Sequence, residues 1–270
     1  RLVYGVEAIG MASVLILISV QPLLDERPMP QGTHSESSTG KLDLTWLPPL
    51  VPVLVVSVVA TGILSLQQSA LPLDLVKGGL ERPGLSESHS SALIAFQLTL
   101  LVLLQWPVGR WLSDRSVGFG LSLSLVSFAT GCTLIGLSAL SASGTGLVMV
   151  ALLPMAFAQA AFLPTATEAV VEETPPEHRG LAMAMFSQCF ALSAMAAPVV
   201  GGNLLDQQGH GLTLWIGVAA ISLAVLPLVK GLRPRFQGGV QGRTNNLSML
   251  KQGVQAASGS KERPVSSNNR

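Results

Sequence analysis

The sequence predicts an all-α polytopic membrane protein, and three observations lead to that fold class. The 270 residues are 49% hydrophobic and only 11% charged, and their mean hydropathy of +0.52 is too high for a soluble domain with an ordinary polar surface. The apolar residues form runs of about 20, the helical length that crosses a hydrocarbon core of about 30 Å. These runs lack the period-two alternation of membrane β-strands, so helices are expected.

Seven apolar segments are long enough to cross a bilayer as helices. A polar stretch rich in Ser, Gly and Pro separates the first segment from the other six, and that composition is typical of a flexible linker. Pro154 and Pro164 fall inside the fifth segment and are expected to bend it. The predicted spans are residues 2–20, 50–73, 92–113, 117–140, 146–171, 180–205 and 211–229.

These segments predict four regions along the chain. The first span occupies residues 1–22, the polar linker covers 23–49, and six spans fill 50–235. Residues 236–270 have too little apolar content to pack against a core, which predicts a disordered tail. The chain opens at Arg1 without an initiator Met, so we expect it to be part of a longer protein.

The distribution of Lys and Arg near the span ends predicts the orientation, because cations collect on the cytoplasmic side. One side holds only Arg1, Lys77 and Arg82. The linker and the C-terminal tail are therefore predicted to be cytoplasmic, in a plasma membrane of the bacterial inner-membrane type. The cations of the opposite side are Arg27, Lys41, Arg110, Arg115, Arg179, Lys230, Arg233 and Arg235.

Composition and residue placement argue against several classes of function. Only 5% of the residues are aromatic and the cations form no stripe, so nucleic acid is not an expected partner. Cys132 and Cys189 lie in apolar runs and are expected to be buried thiols. A retinal protein needs a Lys midway along its last span, whereas Lys230 lies at the end. No metal, cofactor or enzymatic site is predicted, because the four histidines fall in loops: His34, His89, His178 and His210.

The stretch GRWLSDRSVGFG, from Gly109 to Gly120, places an acid between two bases where two spans meet. In one interpretation Arg110 and Arg115 anchor the turn at the cytoplasmic surface and Asp114 is only solvated. In the other, Asp114 faces a helix N-terminus while an Arg pairs with a second carboxylate. That arrangement would hold two helices in one of two positions.

This turn resembles the loop motif of the major facilitator superfamily, roughly G-x-L-x-D-R-x-G-R-R, which joins the second and third helices of each six-helix half. Both glycines lie one residue outside the family spacing, and Phe119 and Gly120 stand where the family has basic residues. The residues that carry the likeness are Gly109, Leu112, Asp114, Arg115 and Gly118.

A second stretch, ATEAVVEETPPEHRGLAMAMF, resembles the family's turn between the fourth and fifth helices of a half. Glu172 takes the acidic position, and Arg179 opens the next helix. The resemblance implies a charge relay in which Arg115 pairs with Glu172 and Asp114 faces a helix start across the interface between the two halves. A solvated acidic loop around Glu172 is the open alternative.

A third stretch, SAMAAPVVGG, resembles the G-x-x-x-G-P-x-x-G-G pattern of proton-coupled antiporters in this superfamily. Small residues allow two helices to approach closely, and Pro with Gly permits a bend. Plain helix packing explains the pattern equally well. The corresponding residues are Ser193, Ala197, Pro198, Gly201 and Gly202.

Glutamines are the main polar residues inside the predicted spans, where an unpaired polar group is costly. Their amides suit a pathway for a polar solute or, alternatively, join neighbouring helices. Glu7, the one carboxylate well inside a span, either carries a proton or reaches the membrane surface. The resemblance favours Gln67 and Gln159 for the pathway, since the seventh and tenth helices line the family's cavity. The other glutamines are Gln68, Gln97, Gln105 and Gln188.

The resemblance implies a bacterial-type superfamily member in which residues 50–229 form helices seven to twelve and the first span is helix six. A companion six-helix half would precede this chain. The implied function is secondary active transport of a small solute by alternating access, with proton coupling and drug or metabolite efflux. The expected partners are the lipid bilayer, the solute, protons and the companion half. A non-transporting membrane scaffold or receptor with the same fold is the alternative.

Overall fold

The computed structural model describes residues 46–230, with side chains as far as Val229. Six helices in this range are long and apolar enough to cross a membrane, and the described residues form no strand. The predicted all-α polytopic fold is therefore confirmed for this part of the chain. The expected first span, most of the linker and the tail, residues 1–45 and 231–270, lie outside the described residues.

The helix boundaries agree closely with the predicted spans. The 3₁₀ turn Pro176–His178 precedes α5, and α6 continues through α7 as one apolar span, Leu212–Val229. The helices are α1 Leu47–Lys77, α2 Glu87–Leu112, α3 Val117–Ser138, α4 Gly144–Glu172, α5 Arg179–Gln208, α6 Leu212–Ala224 and α7 Leu226–Lys230.

Capping residues explain where these helices begin and end. The α1 helix starts at Leu47, inside the predicted linker, with Pro48 and Pro49 in its first turn. Proline is favoured there because the first-turn amides have no partner in the helix. The α2 helix starts earlier than predicted, since the Ser86 side chain accepts a hydrogen bond from the backbone N–H of His89. The α5 helix ends at Gln208, and the next residue, Gly209, has a φ of 72° that favours glycine.

The helices pack around α1 and α4. Each of these two helices contacts both α2 and α5, while α3 packs along α4 and α6. The most extensive contacts join α3 with α4 and α1 with α5. Aromatic side chains fill the core at Phe128, Phe162 and Trp215, all of which are fully buried. The central position of α1 and α4 places their polar residues inside the bundle.

The α2 and α5 helices are the least buried of the six. Their outward faces carry large apolar side chains, among them Trp106, which is 72% exposed, and Met195, which is 70% exposed. Such faces require lipid or another protein surface as a covering. Both helices therefore offer contact area that this bundle leaves uncovered.

Candidate functional site

The predicted relay residues lie at one end of the bundle, which we name the Arg115 end and define by the α2–α3 and α4–α5 turns. The guanidinium of Arg115 lies over the rings of Trp111 and Phe119, at 5.4 and 5.6 Å from their centroids. Asp114 is exposed and Gly109 is half-buried. The rings of Trp111 on α2 and Phe119 on α3 thus hold the Arg115 side chain.

The expected Arg115–Glu172 pair is absent from this conformation. Asp74–Arg82 and Lys77–Asp206 are ion pairs within residues 46–230, and neither involves Arg115 or Glu172. In this conformation the guanidinium of Arg115 instead lies over the two rings. Glu172 and Arg179 are half-buried at the end of α4 and the start of α5. The Nε atom of Arg179 is buried and has no hydrogen-bond partner among the described residues.

Two of the glutamines meet inside the bundle. The Nε2 atom of Gln97 donates to Oε1 of Gln67 at 2.9 Å, which joins α2 to α1. Both side chains are buried, and Nε2 of Gln67 finds no acceptor within the described part of the chain. Gln67 lies five residues beyond the midpoint of α1, about 7.5 Å along the helix axis.

The remaining glutamines are spread over different surfaces. Gln68 and Gln188 are exposed, and Gln159 is half-buried on α4. Gln67 and Gln97 are thus the glutamines that the structure brings together. Gln97 was a candidate from its place in a span, but a single sequence gives no sign of its partner.

The small-residue stretch of α5 packs against α1. The hydroxyls of Ser193 and Thr61 lie 2.8 Å apart, and Thr61 also donates to the carbonyl oxygen of Cys189. Ala197 and Gly201 are buried on the same stripe. A Cβ at Gly201 would come within 2.9 Å of Leu66 and Ala70. Pro198 and Gly202 lie off this contact, since Pro198 is exposed and a Cβ at Gly202 would meet open space.

A buried charged cluster lies at the opposite end, and sequence reasoning missed it. The Nη2 atom of Arg82 donates to Oδ2 of Asp74 at 3.0 Å and to the Asp74 backbone carbonyl. Nη1 of Arg82 donates to Oγ of Ser138, and Nε1 of Trp215 donates to Asp74. We name these four residues the Asp74 cluster. They connect the end of α1, the following loop, the end of α3 and the start of α6.

The Asp74 cluster is tightly enclosed. Asp74 and Arg82 are 1% and 2% exposed. A Cβ at Gly211 would overlap the Asp74 carboxylate, so glycine is required there. Oδ1 of Asp74 and Nε of Arg82 have no hydrogen-bond partner in the region 46–230. Asp74 falls one residue beyond the predicted span and Arg82 reads as a loop cation, so only the fold reveals their pairing.

The architecture and its polar contacts define a class: an integral membrane protein whose transmembrane helices carry buried polar groups. Groups of three potential metal ligands are absent from residues 46–230. The family model described as Major Facilitator Superfamily matches residues 45–261, and the chain belongs to this superfamily. The family predicted from the three motifs is therefore confirmed, and it is a family of membrane transporters rather than enzymes.

Solved structures show the same fold. The chain is similar to the peptide transporter POT in complex with sulfate, with a TM-score of 0.56 and 18% identity over 77% of this chain and 44% of that one. A mutant of peptide transporter POT in complex with alafosfalin gives a TM-score of 0.52 and 18% identity over 79% and 45%. This chain therefore spans less than half the length of these neighbours. No curated protein sequence matches it.

Proposed function

We propose that this chain is the C-terminal portion of a secondary active transporter that moves a small solute across a membrane by alternating access. The observation that carries the proposal is the superfamily match over the six-helix bundle, combined with coverage of about half of each transporter neighbour. Transporters of this kind pair two six-helix halves around a site near the bilayer midplane.

The companion half of the same protein would pack against α2 and α5. These helices support the proposal because their outward faces are the least covered in the bundle. In this arrangement residues 1–22 end the companion half, and the cytoplasmic linker runs from residue 23 to the start of α1 at Leu47. The membrane would be a bacterial inner membrane, with the C-terminus in the cytoplasm, in keeping with the Lys and Arg distribution.

The proposed solute contact is Gln67, with Gln68, Gln159 and Gln188 as further pathway residues. Support comes from the burial of Gln67 inside the bundle and from its Nε2 atom, which lacks an acceptor among residues 46–230. A buried donor without a partner costs free energy, so a solute carbonyl or carboxylate that accepts from it gains binding energy. Because Nε2 of Gln67 is buried, α1 has to move slightly relative to α2 before a solute can reach it.

The proposed gate lies at the Arg115 end. In a second conformation Arg115 leaves the rings of Trp111 and Phe119 and pairs with Glu172, while Asp114 faces the companion half. Exposed cation–π contacts and exposed ion pairs are each worth roughly 0–1 kcal/mol, so the two arrangements are close in free energy. That balance is what a two-state gate requires. Gly109 and Arg179 would shape the two turns.

Proton coupling and efflux of a drug or metabolite complete the proposal. The α5 stretch Ser193–Gly202 supports them through its likeness to the antiporter pattern and its close packing on α1. The test is a solute panel on the full-length protein in vesicles, with and without an imposed proton gradient. We expect gradient-dependent accumulation of at least one solute. Retention of every solute at the level of empty vesicles would refute transport.

A further inference from the structure

A ring stack joins the start of α1 to the α4–α5 turn. The ring centroids of Trp46 and His178 lie 5.0 Å apart, and the planes are inclined by 15°. Trp46 is the N-cap residue of α1, and His178 ends the 3₁₀ turn that precedes α5. The stack therefore lies at the Arg115 end and connects two elements that are far apart in the sequence.

Burial makes this stack more than a surface contact. Trp46 is 8% exposed and belongs to the main hydrophobic core, although it falls within the predicted polar linker. His178 is half-buried. Stacked aromatic rings stabilise one arrangement over another beyond the area they bury, and such a contact shifts a two-state equilibrium by about two- to tenfold.

The α4–α5 turn can transmit the position of His178 to Glu172. Thr174 is fully buried, and the next two residues, Pro175 and Pro176, have φ angles fixed by their rings. The backbone N–H of His178 donates to the carbonyl oxygen of Pro175 at 3.0 Å. Because the turn is short and stiff, a displacement of His178 also displaces Glu172 at the end of α4.

We propose that Trp46 and His178 are positioning residues for the gate. Their stack holds the α4–α5 turn against the start of α1, in the arrangement where Arg115 lies over its two aromatic rings. Loss of the stack releases the turn and favours the Arg115–Glu172 pair. The inference rests on the gate proposed above and adds the contact that selects between its two arrangements.

The test measures the distance between the two turns of the Arg115 end in the complete protein, in vesicles. Ser113→Cys and Glu177→Cys place nitroxide labels on exposed residues of the two turns, and pulsed electron resonance gives the distance distribution. Cys132 and Cys189 are buried, and any other cysteines of the complete protein are replaced. Pairing of Arg115 with the α4–α5 turn draws the labels together, so the second arrangement has the shorter distance.

Trp46→Leu and His178→Ala should each raise the short-distance population at least twofold. The double variant should match the single variants, because either change alone removes the stack. Adding Glu172→Gln to His178→Ala should remove the gained population, because it replaces the carboxylate that pairs with Arg115. A purely structural role of the stack would not give this dependence on Glu172.

Two controls keep the stack distinct from general damage. Trp46→Phe retains an aromatic ring against the imidazole and should keep the wild-type distribution. His89→Ala removes an exposed imidazole at the opposite end and should also leave it unchanged. An unchanged distribution in His178→Ala, or effects of the two single variants that add in the double variant, would overturn the proposal.

The distances are measured without solute, so this test and the transport test fail separately. A protein that shows the shifts but moves no solute would refute transport and leave the positioning role of Trp46 and His178 in place. A protein that transports and shows no shift would refute the positioning role alone.

Discussion

Asp74 and Arg82 show at the residue scale how a bundle of nearly uncharged helices contains a buried ion pair. The carboxylate receives hydrogen bonds from Arg82 and Trp215, and the pair is shielded from solvent. Burying two charges is costly, so such a pair adds little net stability over an apolar replacement. Removal of one partner is different, because the other charge is left buried alone.

Asp74→Asn is expected to destabilise the folded protein by about 3–5 kcal/mol, since the guanidinium of Arg82 loses its counter-charge. The measurement is the thermal unfolding midpoint of the purified protein. Lys77→Gln is the matched control, because it breaks the exposed pair with Asp206 and should cost about 0–1 kcal/mol. Similar losses in the two variants would contradict the enclosed geometry of the Asp74 cluster.

Substitutions at Gln67 distinguish its two candidate roles, which are joining α1 to α2 and contacting the solute. Gln67→Leu leaves the Gln97 amide buried without its partner, so it should cost about 1–3 kcal/mol. Gln67→Leu with Gln97→Leu removes both amides and should restore stability. If Gln67 contacts the solute, the double variant of the complete protein melts near the wild-type temperature and still loses transport. Normal transport by that variant would show that Gln67 and Gln97 only join the two helices.

At the scale of elements, α1 and α5 approach closely because small residues line their contact. Ser193, Ala197 and Gly201 occupy one buried stripe of α5. The adjacent Gly202 lies off that stripe and has open space around it. The two neighbouring glycines therefore provide a matched pair of positions with the same helix propensity and different surroundings.

Gly201→Val is expected to destabilise the protein by about 1–3 kcal/mol, because the added side chain meets Leu66 and Ala70 and forces the helices apart. Gly202→Val changes the helix propensity equally and adds no overlap, so its unfolding midpoint should stay close to that of the wild type. Thermal unfolding of both variants checks this difference. A Gly202→Val loss as large as that of Gly201→Val would contradict the assigned contact face.

The sequence predicted the elements better than their contacts. Hydropathy located all six described spans, because a helix needs about 20 apolar residues to cross a bilayer. The start of α1 was missed because Pro48 and Pro49 occur in linkers as well as in first helical turns. The Asp74 cluster could not be predicted, because Ser138 and Trp215 reach Asp74 and Arg82 from distant parts of the sequence.

The whole molecule is proposed to work as two halves that rock, with the Arg115 end as a gate. Asp114 is exposed in this bundle, where a carboxylate needs no special partner. Its role depends on the companion half.

Asp114→Asn in the complete protein should reduce solute transport at least tenfold while membrane insertion stays normal. Transport in vesicles and the amount of inserted protein check this prediction. Normal transport by the variant would contradict the proposed gate.

Alternating access is tested most directly by two reporters on α5, one at the exposed Ala184 and one at the half-buried Gly202, where an added Cβ meets open space. Ala184 and Gly202 are 18 residues apart, which is five helical turns, so they lie on one stripe about 27 Å apart. Ala184 is near the Arg115 end, and the native Cys132 and Cys189 are buried.

Ala184→Cys and Gly202→Cys are labelled separately with a water-soluble thiol reagent in the complete protein, with and without Asp114→Asn. We predict that the gate variant raises labelling at 184 and lowers it at 202. Labelling that is unchanged at both positions, or that moves in the same direction at both, would contradict alternating access.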